Sequence, residues 1–69
     1  MVMLTGEQIY ELRKAIGLTA QQLGDKLGVT GNTIFRWEAG DRFPSRRHQI
    51  ELNKLLLKAK ENGFVLQLA

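Results

Sequence analysis

The sequence predicts a small all-α domain of four helices, with an extended C-terminal tail for which a short strand is one possibility. Three observations support this: a helix-start pattern that repeats three times, a glycine after each helical period, and a length of 69 residues, which suits one domain. A chain of this length buries only a modest core and has little room for an enclosed catalytic pocket.

The first three helices are each predicted to begin after a threonine that follows an apolar residue. A threonine hydroxyl at this position accepts a hydrogen bond from a free amide of the first turn, and a glutamine three residues later bonds back to the amide of the threonine. The pattern is complete for Thr5 with Gln8 and for Thr19 with Gln22, and partial for Thr30 with Thr33.

Glycines mark the ends of the same three helices. A glycine adopts positive φ readily and is therefore common directly after a helix. With Gly17, Gly28 and Gly40 in these places, the predicted helices run from about Gly6 to Ile16, Ala20 to Leu27 and Gly31 to Ala39.

A fourth helix is predicted after Pro44, with Ser45 as its N-cap and its end near Glu61 or Asn62. Its predicted apolar stripe consists of Ile50, Leu52, Leu55, Leu56 and Ala59.

The tail over residues 63–69 contains more apolar residues than a disordered end, so we expect it to be ordered. Four arrangements remain open. The tail forms a strand against residues 2–4, pairs with a second chain, packs on the first helix of its own chain, or continues into further sequence beyond residue 69.

The period of 3.6 residues divides the third helix into two faces. If Ile34 and Trp37 point to the core, the outward positions are those of Gly31, Asn32, Phe35, Arg36 and Ala39.

The stretch GLTAQQLGDKLGVTGNTIFRWEAGDRFPS resembles the helix-turn-helix family of phage repressors and Cro-like (XRE-type) regulators. The resemblance covers about residues 6 to 56, and its markers are LT, LGVT and I-x-x-W-E-x-G. It implies a lambda-repressor-like fold in one domain over residues 1–69, with a helix-turn-helix unit at about residues 20–39. The second helix of that unit would enter the major groove of DNA.

Two outward side chains are the main candidates for reading bases. Asn32 and Arg36 lie one turn apart on the same face; asparagine can pair with adenine and arginine with guanine through two hydrogen bonds each. They match the base-contacting positions that the resemblance implies. Gly31 lies where the family often has a longer polar residue, so it either lets the backbone approach DNA or reads nothing. Phe35 either touches thymine methyls or packs back onto the domain or a partner chain.

Basic residues at the start of the fourth helix are candidate phosphate contacts. Arg46, Arg47 and His48 occupy its first turn, where cations oppose the helix dipole, and a phosphate would resolve this conflict. Arg42 extends the patch. In the family this region lies against the sugar–phosphate backbone; the alternative is a solvated first turn without a partner.

Three further polar residues, Thr30, Thr33 and Gln21, are candidate phosphate contacts. The family commonly has a glutamine in place of Ala20, and Gln21 is its candidate substitute. The resemblance also implies a structural ion pair between Arg13 and Glu38.

Composition excludes several function classes. The chain has no cysteine and one histidine, and neither a nucleophile–base pair, a carboxylate pair nor a phosphate-binding loop is recognisable. We therefore expect neither catalysis nor a metal, cofactor or small-molecule ligand. The net charge of +3 favours an anionic partner, and no apolar run is long enough to cross a membrane.

These observations together predict a sequence-specific double-stranded DNA-binding protein that acts as a repressor or regulator: a phage-type repressor, a controller protein or an antitoxin. We expect it in the cytoplasm of a prokaryote, encoded there or by a phage, and bound as a homodimer to a pseudo-palindromic operator. The alternative is a protein-interaction module that keeps the fold without specific DNA binding.

Overall fold

The computed structural model describes residues 2–66, and within this part of the chain it contains four helices and no strand. The all-α prediction is therefore confirmed. The helices are α1 (Gly6–Ala15), α2 (Ala20–Leu27), α3 (Gly31–Ala39) and α4 (Arg46–Glu61). None of them is both long and apolar enough to cross a membrane.

The local hydrogen bonds at the helix starts are those predicted from the sequence. Thr5 and Thr19 each form a complete capping box with the glutamine three residues later. Thr30 accepts a hydrogen bond from the amide of Thr33, and the side chain of Ser45 caps α4. Gly28, with φ of +76°, ends α2 and permits the short turn into α3.

All four helices contribute to one hydrophobic core. Its completely buried side chains are Ile9 and Leu12 of α1, Leu23 of α2, Ile34 of α3 and Leu52 of α4. Trp37 is also buried, as the period of α3 predicts.

Gly24 explains how closely the two helices of the helix-turn-helix unit can approach. A Cβ atom at this position would lie 2.5 Å from the carbonyl oxygen of Val29 and 3.0 Å from the carbonyl carbon of Thr30. Any larger residue would displace the turn that leads into α3, and with it the orientation of that helix.

The N-terminal residues 2–4 bind to α4 through side-chain amides. The amide of Val2 donates to Oδ1 of Asn53, which returns a hydrogen bond from Nδ2 to the carbonyl of Val2. Gln49 bonds the amide and carbonyl of Leu4 in the same way. The backbone groups of Val2 and Leu4 are therefore bonded to α4, and residues 2–66 do not contain the strand between residues 2–4 and the tail that was one of the expected arrangements.

The same bonds change the inward face of α4. Gln49 is buried at 2% exposure, whereas Ile50, predicted in the apolar stripe, is 39% exposed. The reason is that the carboxamide of Gln49 is satisfied by the backbone of Leu4, which removes the cost of burying it.

The described part of the tail packs on its own chain. Phe64 and Leu66 are partly buried against the core, and the amide of Phe64 donates to the carbonyl of Ala59. These contacts place Phe64 and Leu66 on the core of their own chain; packing on α1 in particular stays a prediction, and residues 67–69 lie outside the described part.

Candidate nucleic-acid interface

The outward face of α3 presents two polar side chains to solvent. Asn32 and Arg36 are both exposed, and neither forms a side-chain hydrogen bond or ion pair within residues 2–66. Both are therefore available to a ligand, and their spacing of four residues places them one helical turn apart.

Phe35, the aromatic residue between them, leans towards α1. The centroid of its ring lies 6.0 Å from the guanidinium carbon of Arg13. The same carbon lies 5.3 Å from the centroid of the Tyr10 ring. The side chain is nevertheless 56% exposed. The geometry favours packing back onto the domain, one of the two predicted roles of Phe35, since cation–π attraction stabilises this position.

Gly31 differs from its predicted outward orientation. A Cβ atom there would lie 3.2 Å from the backbone nitrogen and Cα of Gln21, so a side chain at this half-buried position would point towards α2. The close approach of the two helix N-termini is a sufficient physical reason for glycine. A contact from Gly31 to a base would have to come from its backbone, and that contact stays a prediction.

Arg13 and Glu38 join α1 to the end of α3. Nε and Nη2 of Arg13 donate to the two carboxylate oxygens of Glu38 at 2.6 and 3.2 Å, and Nη1 donates to the carbonyl of Leu18 at 3.1 Å. Each side chain is only 10% exposed. The hydrogen bonds to Glu38 raise the pKa of Arg13 above its ordinary value, against the opposing effect of burial. Arg13 therefore stays charged, and its hydrogen bonds to Glu38 orient α3 on α1.

The arginines near the start of α4 have no such counter-charge. Arg42, Arg46 and Arg47 are exposed, and the first turn of α4 contains no acidic residue. Within residues 2–66 the ion pairs are Arg13–Glu38 and Lys54–Glu51, and neither involves these arginines. Their charges add to the positive end of the α4 dipole and create a region that attracts anions.

The three other predicted phosphate contacts surround the N-termini of α2 and α3. Thr30 and Thr33 are hydrogen-bonded to each other, with 3.0 Å between their hydroxyl oxygens, and Gln21 is exposed. Ala20 is buried at 4% exposure and offers almost no surface to a ligand. Asp25 lines the same groove as Gln21 and Asn32, so this side of α3 is less favourable to phosphate than the side that faces α4.

A groove between α3 and the start of α4 brings several candidates together. Asn32, Thr33 and Arg36 of α3 line this groove together with Arg42 of the following loop. Two residues that the sequence analysis did not assign to the site, Phe43 and Ser45, also line it.

The sequence contained a signal for Phe43, namely a large aromatic residue between an arginine and a proline in a loop. His48, placed in the basic patch from the sequence, is half-buried: its ring centroid lies 5.2 Å from that of Trp37, and its Nδ1 is 3.0 Å from the hydroxyl oxygen of Ser45.

The described residues contain no cluster of three or more histidine, cysteine, aspartate or glutamate side chains that could hold a metal ion.

Comparison with known proteins gave one match. A family model described as Helix-turn-helix, of the XRE type to which Cro and lambda repressor are related, matches residues 9–56. These residues include α2, α3 and most of α1 and α4. The searches of curated proteins and of solved structures found no match.

Proposed function

The chain belongs to the helix-turn-helix family of DNA-binding regulators, and from this premise we propose that it binds specific sequences of double-stranded DNA as a transcriptional repressor or regulator. In this proposal residues 1–69 act as a single domain. α3 enters the major groove, and the arginines near the start of α4 contact the phosphates beside it.

The observation that carries the proposal is that exposed polar side chains and arginines without a counter-charge lie on the same surface of the described chain. Asn32 and Arg36 are exposed and form no side-chain hydrogen bond or ion pair within residues 2–66, and Arg42 lines the same groove. Asparagine and arginine are suited to adenine and guanine, respectively. The surrounding cations supply the attraction to phosphate that most protein–DNA complexes depend on.

The remaining predicted contacts have separate roles in this proposal. Arg46 and Arg47 contact phosphates from the first turn of α4. Gln21 contacts the strand on the other side of α3. Thr30 and Thr33, whose hydroxyl groups are hydrogen-bonded to each other, contact phosphate at the N-terminus of α3. Because Phe35 leans on Arg13, its role is to support the orientation of α3.

We further propose a homodimer on a pseudo-palindromic site. The argument is size: one α3 spans nine residues and reads too few base pairs to select a site alone. Phe64 and Leu66 contribute to the core of their own chain, so they are not the dimer contact in this proposal. Sedimentation with and without a selected duplex measures the mass of the bound form directly.

The test of DNA binding is selection from a random pool of duplexes, followed by affinity measurements on the selected and a scrambled duplex. We expect one enriched sequence, and specific binding typically exceeds non-specific binding by about 10³-fold or more. Equal affinity for both duplexes would contradict sequence-specific regulation. No affinity for either would favour a protein-interaction module.

A further inference from the structure

Phe43 is an aromatic side chain with almost no protein contact. It is 81% exposed, the highest value among the exposed large hydrophobic residues of the described chain. A single exposed apolar residue needs no explanation by itself. Two features of its surroundings show that the position of Phe43 is defined.

The first feature is a loop that is fastened on both sides of Phe43. Before it, the amides of Asp41 and Arg42 donate to the carbonyl of Arg36, at 2.9 and 3.3 Å, which ties the loop to the last turn of α3. After it, Pro44 is buried and restricts Phe43 to an extended backbone. The backbone at Phe43 is therefore held beside α3, so that binding costs little further backbone entropy in this loop.

The second feature is the groove that Phe43 lines. Its volume is about 440 Å³, room for on the order of ten water molecules, so a ligand can enter without displacing protein atoms. Cationic Arg36 and Arg42 line it together with the ring, and none of the lining residues from the described part of the chain carries a carboxylate. A ligand that fits must combine negative charge with an apolar surface.

A nucleic-acid strand has this combination, because anionic phosphates alternate with sugars whose carbon–hydrogen faces are apolar. We propose that the groove holds one sugar–phosphate strand of the bound DNA and that Phe43 covers the face of a deoxyribose between two phosphates. The inference rests on the proposed function and deepens it, by adding an apolar contact to a surface otherwise composed of charges and hydrogen-bonding groups.

The contact has a signature that distinguishes it from those of the arginines. A ring on a sugar releases no counterion, so its removal lowers affinity without changing the dependence on salt concentration. Sugars are the same at every position, so the loss is equal on selected and scrambled duplexes.

The experiment compares Phe43→Ser, Phe43→Leu and the wild-type chain on both duplexes between 50 and 200 mM salt. This is roughly the range of salt concentration over which phosphate contacts change the affinity of a protein for DNA most clearly. We expect Phe43→Ser to bind about tenfold more weakly, as for loss of roughly half the burial of a phenylalanine. The salt slope should be unchanged, and leucine should restore most of the affinity. Val65→Ser is the matched control, because Val65 is 77% exposed and lies outside the groove.

Three outcomes would overturn the inference while leaving the proposed function intact. Wild-type affinity of Phe43→Ser would show that the ring is not in the interface. A loss confined to the selected duplex would assign Phe43 to a base, and a shallower salt slope would mean that the substitution displaces a phosphate contact. If the wild-type chain binds neither duplex, the proposed function fails first and the inference fails with it. Thermal unfolding of each variant verifies that it is folded.

Discussion

Arginines lie on two sides of α3, and the two sides differ in whether a carboxylate balances the positive charge. On the α1 side, Arg13 is nearly buried and bonded to both carboxylate oxygens of Glu38. On the α4 side, Arg42, Arg46 and Arg47 are exposed, and none of them forms an ion pair with a carboxylate of residues 2–66. The first arrangement fixes the position of the helix, and the second leaves charge available for a ligand. The location of unpaired charge is therefore a better guide to function here than the net charge of +3.

Substitution of Trp37, which lies between the two sides, should have the largest effect on the free energy of unfolding. The indole ring of Trp37 packs near His48 on the α4 side. The backbone carbonyl of Trp37 lies against Gly6 on the α1 side, so closely that a Cβ atom at Gly6 would collide with this carbonyl. Truncating a large aromatic residue in a core costs about 3–5 kcal/mol. We expect Trp37→Ala to be largely unfolded at room temperature, as measured by circular dichroism and urea denaturation. Wild-type stability would mean that α3 is rotated from its described position.

Breaking the ion pair on the α1 side should cause the next largest loss in the free energy of unfolding. Glu38→Ala leaves a nearly buried guanidinium without its counter-charge, and breaking such a pair costs about 3 kcal/mol. Lys54→Ala is the control, because it breaks the exposed pair with Glu51, where we expect less than about 1 kcal/mol. Urea denaturation of both variants gives the two values. Equal values would show that burial does not distinguish the pairs and would remove the proposed positioning role of Arg13.

Most of the fold follows from rules that act within a few residues. Capping by Thr5, Thr19 and Thr30 depends on neighbours three residues away, and the helix bounds are correct to within one residue of the prediction. The inward face of α4 follows from a different kind of interaction. Gln49 is buried because Leu4, 45 residues earlier in the sequence, bonds its carboxamide, and no local pattern contains that information.

The candidate site divides in the same way. The outward positions of Asn32 and Arg36 follow from helical period alone once Trp37 is placed in the core. The orientation of Gly31 does not, because it depends on how closely the start of α2 approaches α3. Phe43 escaped prediction because its place beside Arg36 results from two loop hydrogen bonds and a buried proline, which periodicity does not describe.

Arg36 tests whether the outward face of α3 reads bases. We expect Arg36→Ala to weaken binding to a selected duplex by about 1–3 kcal/mol and to relax the preference at one base pair. The measurement is affinity on the selected duplex and on its single-base variants. A loss of the same size on scrambled DNA would reassign Arg36 to a phosphate and would add it to the uncompensated charges on the α4 side.

The arginines of the first turn of α4 should give the smallest loss at any one salt concentration, and they test the α4 side of the comparison most directly. Each phosphate contact contributes about 0.9 to the slope of log affinity against log salt concentration. Arg46→Ala and Arg47→Ala should therefore each reduce the slope by about one unit, and the double variant by about two, equally on selected and scrambled duplexes. Lys58→Ala is the matched control, because Lys58 is also exposed but lies in the last turn of α4. Its slope should equal that of the wild-type chain. If the double variant and the control have the same slope, the unpaired charge at the start of α4 is solvated and is not part of the DNA interface.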